Sequence, residues 1–337
     1  MSTLLGQEVL DRRPFAPACE AFSEASFEQV RLADGRVLVV KTFPASDWLM
    51  RATRDTDRLG ALWNAGVFDR TPLSVDHAML KTERRAGRRV VVMRDVSAAL
   101  FDVNVGISHE VSNAVLVAAA ALHDAFWGSP VPGLCGLSDY YGLFGFDTAS
   151  REGDANTHTS QFPRGWHRFA EIVPSDVADP VLRLVECPAA LAGELEREEG
   201  TLVHGDLKLA NLGFAAGRVV MLDWGSLTCW GPAEVDFGWY FGQNAHRVGG
   251  AYDDVIADYR RAEGPRVNER ALDLALIGAL VHFGWRRALW VTENSDPDLR
   301  AWAADELGWW VRRVRRAFDT WSPSGPDMAR PARRELG

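Results

Sequence analysis

Lysine is nearly absent from this chain. Of 37 basic residues only Lys41, Lys81 and Lys208 are lysines, and the rest are arginines. Where arginine is the default cation, a position that keeps lysine is a candidate for needing a compact ammonium. Cysteine is scarce as well. Cys19, Cys135, Cys187 and Cys229 form no CxxC pair and share no metal-ligand spacing with histidine, which argues against a zinc module or a disulfide framework. Reduced thiols in a cytoplasmic protein are the expectation. The N-terminus has no charged segment followed by an apolar one, so no signal peptide is expected. No long apolar run is free of charge. The most apolar stretch, residues 271–290, is interrupted by Asp273, His282, Arg286 and Arg287, and reads as a buried helix and not a membrane span. Positive charge is not in excess. With 46 acidic residues and a formal net charge of −9, a broad nucleic-acid-binding face is excluded. The 30 glycines and 16 prolines are scattered, so no repetitive or low-complexity class applies.

The 337 residues, 47% of them hydrophobic, are enough for a large core or two packed lobes. Residues 30–32 and 37–40 are apolar β-rich runs joined through Ala33-Asp34-Gly35, and 78–82 and 90–93 form a second pair around Ala86-Gly87. One helix is expected between the pairs, capped by Ser46 or Asp47 and closed by Gly66. Trp48, Ala52, Asp55, Leu59 and Leu62 fall on one face of it. A helix over 109–126 follows, then a long irregular segment over 128–163, and helical patterns resume over 181–195. A β-rich unit occupies 201–223, and three helices begin at Tyr252.

The chemistry concentrates in two places. His204-Gly205-Asp206 ends an apolar run, and Asn211 follows Asp206 by five residues. Twelve residues beyond Asn211 an apolar strand ends in Asp223, followed by Trp224-Gly225. Phosphoryl transfer needs a carboxylate to orient the attacking hydroxyl and oxygen ligands for Mg²⁺. A D-x4-N loop facing a strand-terminal aspartate can supply both.

These motifs resemble those of the aminoglycoside phosphotransferase and choline kinase-like family, relatives of the protein kinases. HGDLKLAN is similar to the family's HGDxxxxN catalytic loop, and LDWG to its second metal-binding segment. The resemblance implies an α+β, two-lobed protein-kinase-like fold, with a small antiparallel sheet lobe and a larger, mainly helical lobe. It implies Asp206 as catalytic base, Asn211 and Asp223 as Mg²⁺ ligands, and Lys208 against the transferred phosphate. His204 and Asp236, the latter in GPAEVDFGWY, would support the loop. Lys41, ending a strand after a hairpin, would hold the α- and β-phosphates. It needs an acidic partner on the following helix, and the apolar stripe selects Asp55, an aspartate where glutamate is usual. Backbone groups of the strand end Met93, Arg94, Asp95 and Val96 would meet adenine. Leu122-His123 with Phe126-Trp127 resembles the family's LHxxFW helix end.

The implied layout is a nucleotide lobe over 1–93, a hinge over 94–97, a catalytic and acceptor lobe over 98–322, and a disordered tail over 323–337. The implied reaction uses ATP, with GTP left open, and a hydroxyl of a sugar, amino alcohol or antibiotic. The oligomeric state is left open. One departure is the absence of a glycine-rich phosphate-covering loop. The hairpin expected there, residues 22–27, reads FSEASF. A regulator that binds nucleotide without turnover stays open beside the enzyme reading. A protein kinase is disfavoured, because GPAEVD follows Asp223 too soon for a peptide-docking segment. Among the tryptophan-rich helices, Trp239, Tyr240, Trp285, Trp290, Trp309 and Trp310 read first as core. Gln243, Asn244, His282, Asp139, Tyr140, Tyr141, Trp166 and His167 are candidates to line an acceptor pocket.

Overall fold

The structure, a computed structural model, describes residues 3–16, 23–44, 47–85, 87–153 and 158–321. The N-terminal part is one antiparallel sheet in the order β1-β2-β3-β4-β7-β6. Its strands are β1 (Thr3–Leu4), β2 (Gln7–Pro14), β3 (Ser26–Leu32), β4 (Val37–Phe43), β6 (Met79–Arg85) and β7 (Arg88–Arg94). Side chains alternate across β4 as the pleat requires. Leu38 and Val40 join Leu4, Val30, Leu32 and Val92 in a small outer core. Val39, Lys41 and Phe43 point the other way, into the cleft. The two expected strand pairs are present. The additional strands β1 and β2 were not expected, since Gln7–Pro14 is mostly polar and exposed on both faces and so lacks the apolar alternation that marks a strand.

The single expected helix is broken in two, α1 (Trp48–Ala52) and α2 (Arg58–Asn64), and a short α3 (Val67–Arg70) follows. The interruption has a local cause. Thr53 Oγ1 bonds back to Leu49 O at 2.8 Å, Arg54 adopts φ 52°, and Asp55 N closes onto Met50 O at 2.7 Å. Asp57 then caps α2 through Gly60 N. Three polar residues that prefer local backbone bonds outweigh the apolar stripe. Asp55 therefore lies in the break and not on a helix face.

The C-terminal part is mainly helical. It comprises α4 (His109–Phe126), α5 (Leu137–Tyr141), α6 (Phe146–Glu152), α7 (Gln161–Ile172), α8 (Ser175–Glu186), α9 (Pro188–Leu195), α10 (Glu234–Asn244), α11 (Tyr252–Glu263), α12 (Glu269–Glu293) and α13 (Pro297–Thr320). The segment read as irregular holds α5, α6 and the start of α7. α5 and α6 are each under two turns, too short to show a 3.6-residue period. α12 is buried along most of its length, packing against α7, α10 and α13. Two small sheets present the motif residues. β10 (Arg218–Met221) lies antiparallel to β9 (Leu212–Ala215) and parallel to β5 (Val75–Asp76), and β8 (Thr201–Val203) pairs with β11 (Cys229–Gly231). No helix among the described residues is long and apolar enough to cross a membrane. The expected tail, 323–337, lies outside the described residues.

Candidate active site

A cavity of about 560 Å³ opens between the sheet and the helical part. Val39, Lys41 and Met93 line it from the sheet, and Lys208, Asn211 and Asp223 from the opposite wall. Two segments 182 residues apart meet here. Lys41 Nζ donates to Asp223 Oδ1 at 2.6 Å, and Phe43 packs under the ammonium with its ring centre 4.4 Å away. Burial pushes the Asp223 carboxyl up, but Lys41 and Lys208 together hold it below its usual value. Asp223 adopts φ 67°, a left-handed conformation that aspartate tolerates better than most residues with a side chain.

The catalytic-loop candidate is tied down from several sides. Asp206 Oδ2 accepts from Lys208 Nζ at 2.8 Å and from Asn211 Nδ2 at 2.9 Å. The same amide donates to Asp206 O at 2.9 Å. Asp206 Oδ1 is buried and has no partner, which suits an atom kept for a substrate proton. Burial, joined by the charge of Asp223, outweighs Lys208 and lifts the Asp206 carboxyl above its usual value. His204 Nδ1 accepts from Asp206 N at 3.2 Å, and burial holds this imidazole low, hence neutral. Asp236 accepts from His204 N at 2.8 Å and Gly205 N at 2.7 Å. These bonds tie His204 and Asp236 to the backbone of the loop. Gly205 has φ 82°, and a Cβ there would lie 2.3 Å from Leu227 O, so no larger residue fits.

Sequence reasoning missed three supports. His123 Nε2 lies 3.1 Å from Asp236 and its Nδ1 2.6 Å from Glu263. Burial alone would lower this imidazole, but the two carboxylates raise it to about 10. The LHxxFW resemblance singled out the residue, but its partners come from α10 and α11. Asn244 holds the loop from below, accepting from Leu209 N at 3.0 Å and donating to Leu207 O at 2.7 Å. Arg58 is buried and donates to Gly225 O at 3.1 Å and Ser226 O at 2.6 Å, just after Asp223. No local pattern marks Arg58 among so many arginines.

Asp55 is corrected in role as well as in place. It accepts from Arg58 N at 2.6 Å and lies 3.8 Å from that guanidinium. Of the acids around α1 and α2 it is Asp47, buried at the start of α1, whose carboxyl feels the charge of Lys41, although burial still raises it. The hinge segment 93–96 lines the cavity. Arg94 N, however, already donates to Ala78 O at 2.9 Å, so it is not a donor for a base. The Asp95 carboxylate is held by Ser97 and by Gln29 Nε2. The hairpin expected over 22–27 falls partly outside the described residues, and β3 takes up its last two positions.

Most acceptor-pocket candidates are core. His282 is enclosed by Tyr140, Tyr141, Phe144 and Trp239, and burial lowers it to about 3. Trp166 Nε1 donates to Phe144 O. Asp139 pairs with Arg54 at 3.3 Å. Gln243 accepts from Arg286 at 2.8 Å.

The donor set can be tested for a divalent cation. Among the described residues no group of three or more His, Cys, Asp or Glu side chains could enclose a metal. Asn211 and Asp223 are oxygen donors, and Asn211 spends its NH₂ on Asp206, which leaves the amide oxygen. Two protein oxygens, with phosphates and water completing the shell, suit Mg²⁺ bound with a nucleotide.

Solved structures agree on the fold. An aminopropanol kinase associated with a microcompartment is 15% identical, with 95% of this chain and 94% of that one covered and a TM-score of 0.53. A putative fructosamine-3-kinase of Thermobifida fusca is 19% identical, covering 93% and 96%, with a TM-score of 0.51. An aminoglycoside phosphotransferase of Alicyclobacillus acidocaldarius is 15% identical, covering 93% of each, with a TM-score of 0.51. None of the curated proteins matches in sequence. The sequence model of the phosphotransferase enzyme family, APH, matches residues 18–291, a span that holds the cavity wall, the catalytic loop and the Asp223 strand, and the chain belongs to that family.

Proposed function

We propose that the chain transfers the γ-phosphate of ATP to a hydroxyl of a small molecule. The observation that carries this reading is the convergence of Lys41, Lys208, Asn211 and Asp223 on one cleft, with Asp206 bonded to both Lys208 and Asn211. Asp206 Oδ1 orients the acceptor hydroxyl and takes its proton. The acceptor oxygen bonds to the γ-phosphorus as the bond from phosphorus to the β–γ bridging oxygen breaks, and ADP leaves with that electron pair. Bound Mg²⁺ would be held by Asn211 and Asp223 and would neutralise charge on the phosphates. Lys41 turns from Asp223 to the α- and β-phosphates, and Lys208 balances charge on the transferred group. The cavity wall at Met93 and Val96 takes the base. The reaction and the free thiols of Cys135, Cys187 and Cys229 fit a cytoplasmic setting.

The test is label transfer from γ-labelled ATP with Mg²⁺, against pooled sugars, amino alcohols, hydroxy acids and antibiotics. Label appears on one pool with the native chain and on none with Asp206→Asn. Nucleotide binding with no labelled pool would instead support a regulator.

A further inference from the structure

A basic, aromatic cluster adjoins the catalytic loop and takes no part in the chemistry above. Gln243 and Asn244 are consecutive at the end of α10. Asn244 holds the loop at Leu207 and Leu209, while Gln243 holds the Arg286 guanidinium at 2.8 Å. Arg286 stacks on Trp290 and Phe283, with ring centres 5.0 and 5.3 Å away. His246 lies between Trp290 and Trp302, at 5.6 and 5.5 Å, and senses the charges of Arg287, Arg286 and Arg247. Arg247 O accepts from Ile107 N at 2.9 Å. Ile107 continues the segment whose Asp102, Val103 and Asn104 line the nucleotide cavity. Chain continuity thus places the cluster beside both the loop and the cavity rim.

Its charge is unbalanced. Glu306 bonds to Arg287 at 3.0 Å, but among the described residues no carboxylate pairs with Arg247 or Arg286. Arg286 Nε, Arg287 Nη1 and His246 Nδ1 are buried without a partner. Burial and the neighbouring Arg287 lower the Arg286 guanidinium to about 9, so the fold carries this cation at a cost. Stacking on tryptophan offsets part of it but satisfies no N–H. A planar guanidinium with an unpartnered buried N–H, an imidazole and a partly exposed Trp302 have the chemistry to take an anion on a partly apolar body.

We propose that this cluster is the acceptor's recognition subsite and takes a carboxylate or phosphate ester, so that the substrate is an anionic hydroxy compound and not a polycationic one. This rests on the phosphotransferase reading and names its acceptor class.

The experiment is calorimetric titration of the full chain, first with MgADP and then, once loaded, with four small probes: glycerol 3-phosphate, D-glycerate, glycerol and ethanolamine. At least one anion binds about tenfold or more tighter than glycerol and ethanolamine, as one charge-assisted contact predicts. The two anions tell phosphate from carboxylate. Arg286→Gln and the more exposed Arg247→Gln each remove most of that preference and leave MgADP affinity unchanged. Arg247→Gln lies outside the core, so it reports even if Arg286→Gln unfolds. Loaded protein that binds anions no better than ethanolamine, or variants that keep the preference, would overturn the subsite alone. Failure of the native chain to bind MgADP would overturn the phosphotransferase reading and this inference with it.

Discussion

In the proposed reaction Asp206 and Lys208 carry the chemistry at the scale of single residues. A general base contributes about 10²–10⁴-fold, so Asp206→Asn lowers kcat by that order while KM for ATP changes little. The pH profile is more specific. Asp206 works only when ionised, and its carboxyl is raised, so kcat/KM falls on the acid side at a pH above the ordinary value of 3.8. Lys208 opposes that rise. Lys208→Met therefore moves the acid limb to higher pH as well as slowing the reaction. A limb that stays in place when Lys208 is removed would show that another group sets it.

The elements act through α2 and α4, which brace the site from outside. Arg58 reaches from the sheet lobe to the backbone just beyond Asp223, through charge-assisted bonds worth about 1.5–3 kcal/mol each. Arg58→Met loosens that turn. The expected result is a rise of several-fold in the Mg²⁺ concentration for half-maximal rate, with the apparent affinity for acceptor kept. Asp55→Asn, by contrast, lowers stability by about 1 kcal/mol, the worth of an ordinary bond, and leaves ATP affinity intact, because Asp55 serves Arg58 and not Lys41. On α4, His123 has a folded value of about 10 against 6.5 for the free group. Its contribution is fully present below pH 6.5 and is lost as pH rises through the folded value. The melting midpoint of the native chain accordingly declines between about pH 6.5 and 10. His123→Gln melts lower at pH 7, and its midpoint loses that decline.

For the whole molecule, a nucleotide bound as proposed would add a bridge between the lobes. The Lys41–Asp223 pair, Arg58 and the pairs Arg51–Glu152 and Arg54–Asp139 join them without it. A ligand that binds only the folded chain adds about 2.7 kcal/mol at a hundred times its dissociation constant, so MgATP raises the melting midpoint by several degrees. Asp223→Asn removes most of that shift and keeps the fold. An unchanged shift in this variant would exclude Asp223 as a metal ligand.

The proximity of the motif residues was legible from the chain because it is local. His204, Asp206 and Asn211 share one short loop, and Asp223 follows the strand beside it, so spacing carries geometry. The helices from α11 onward were legible for the same reason, since long amphipathic or apolar runs declare their period. What the order of residues left open are contacts between distant segments. Asp47 caps the start of α1 and Asp55 lies in the α1–α2 break, eight residues apart in the chain. Only the path of that break, shaped by Thr53, Arg54 and Asp57 bonding locally, turns Asp55 to Arg58 and away from Lys41. Arg58 and Arg286 are two arginines among many. Tertiary structure alone buried the first against the Asp223 turn and left the second without a counter-ion beside the catalytic loop, because burial and pairing depend on which surfaces meet and not on what precedes or follows a residue in the chain.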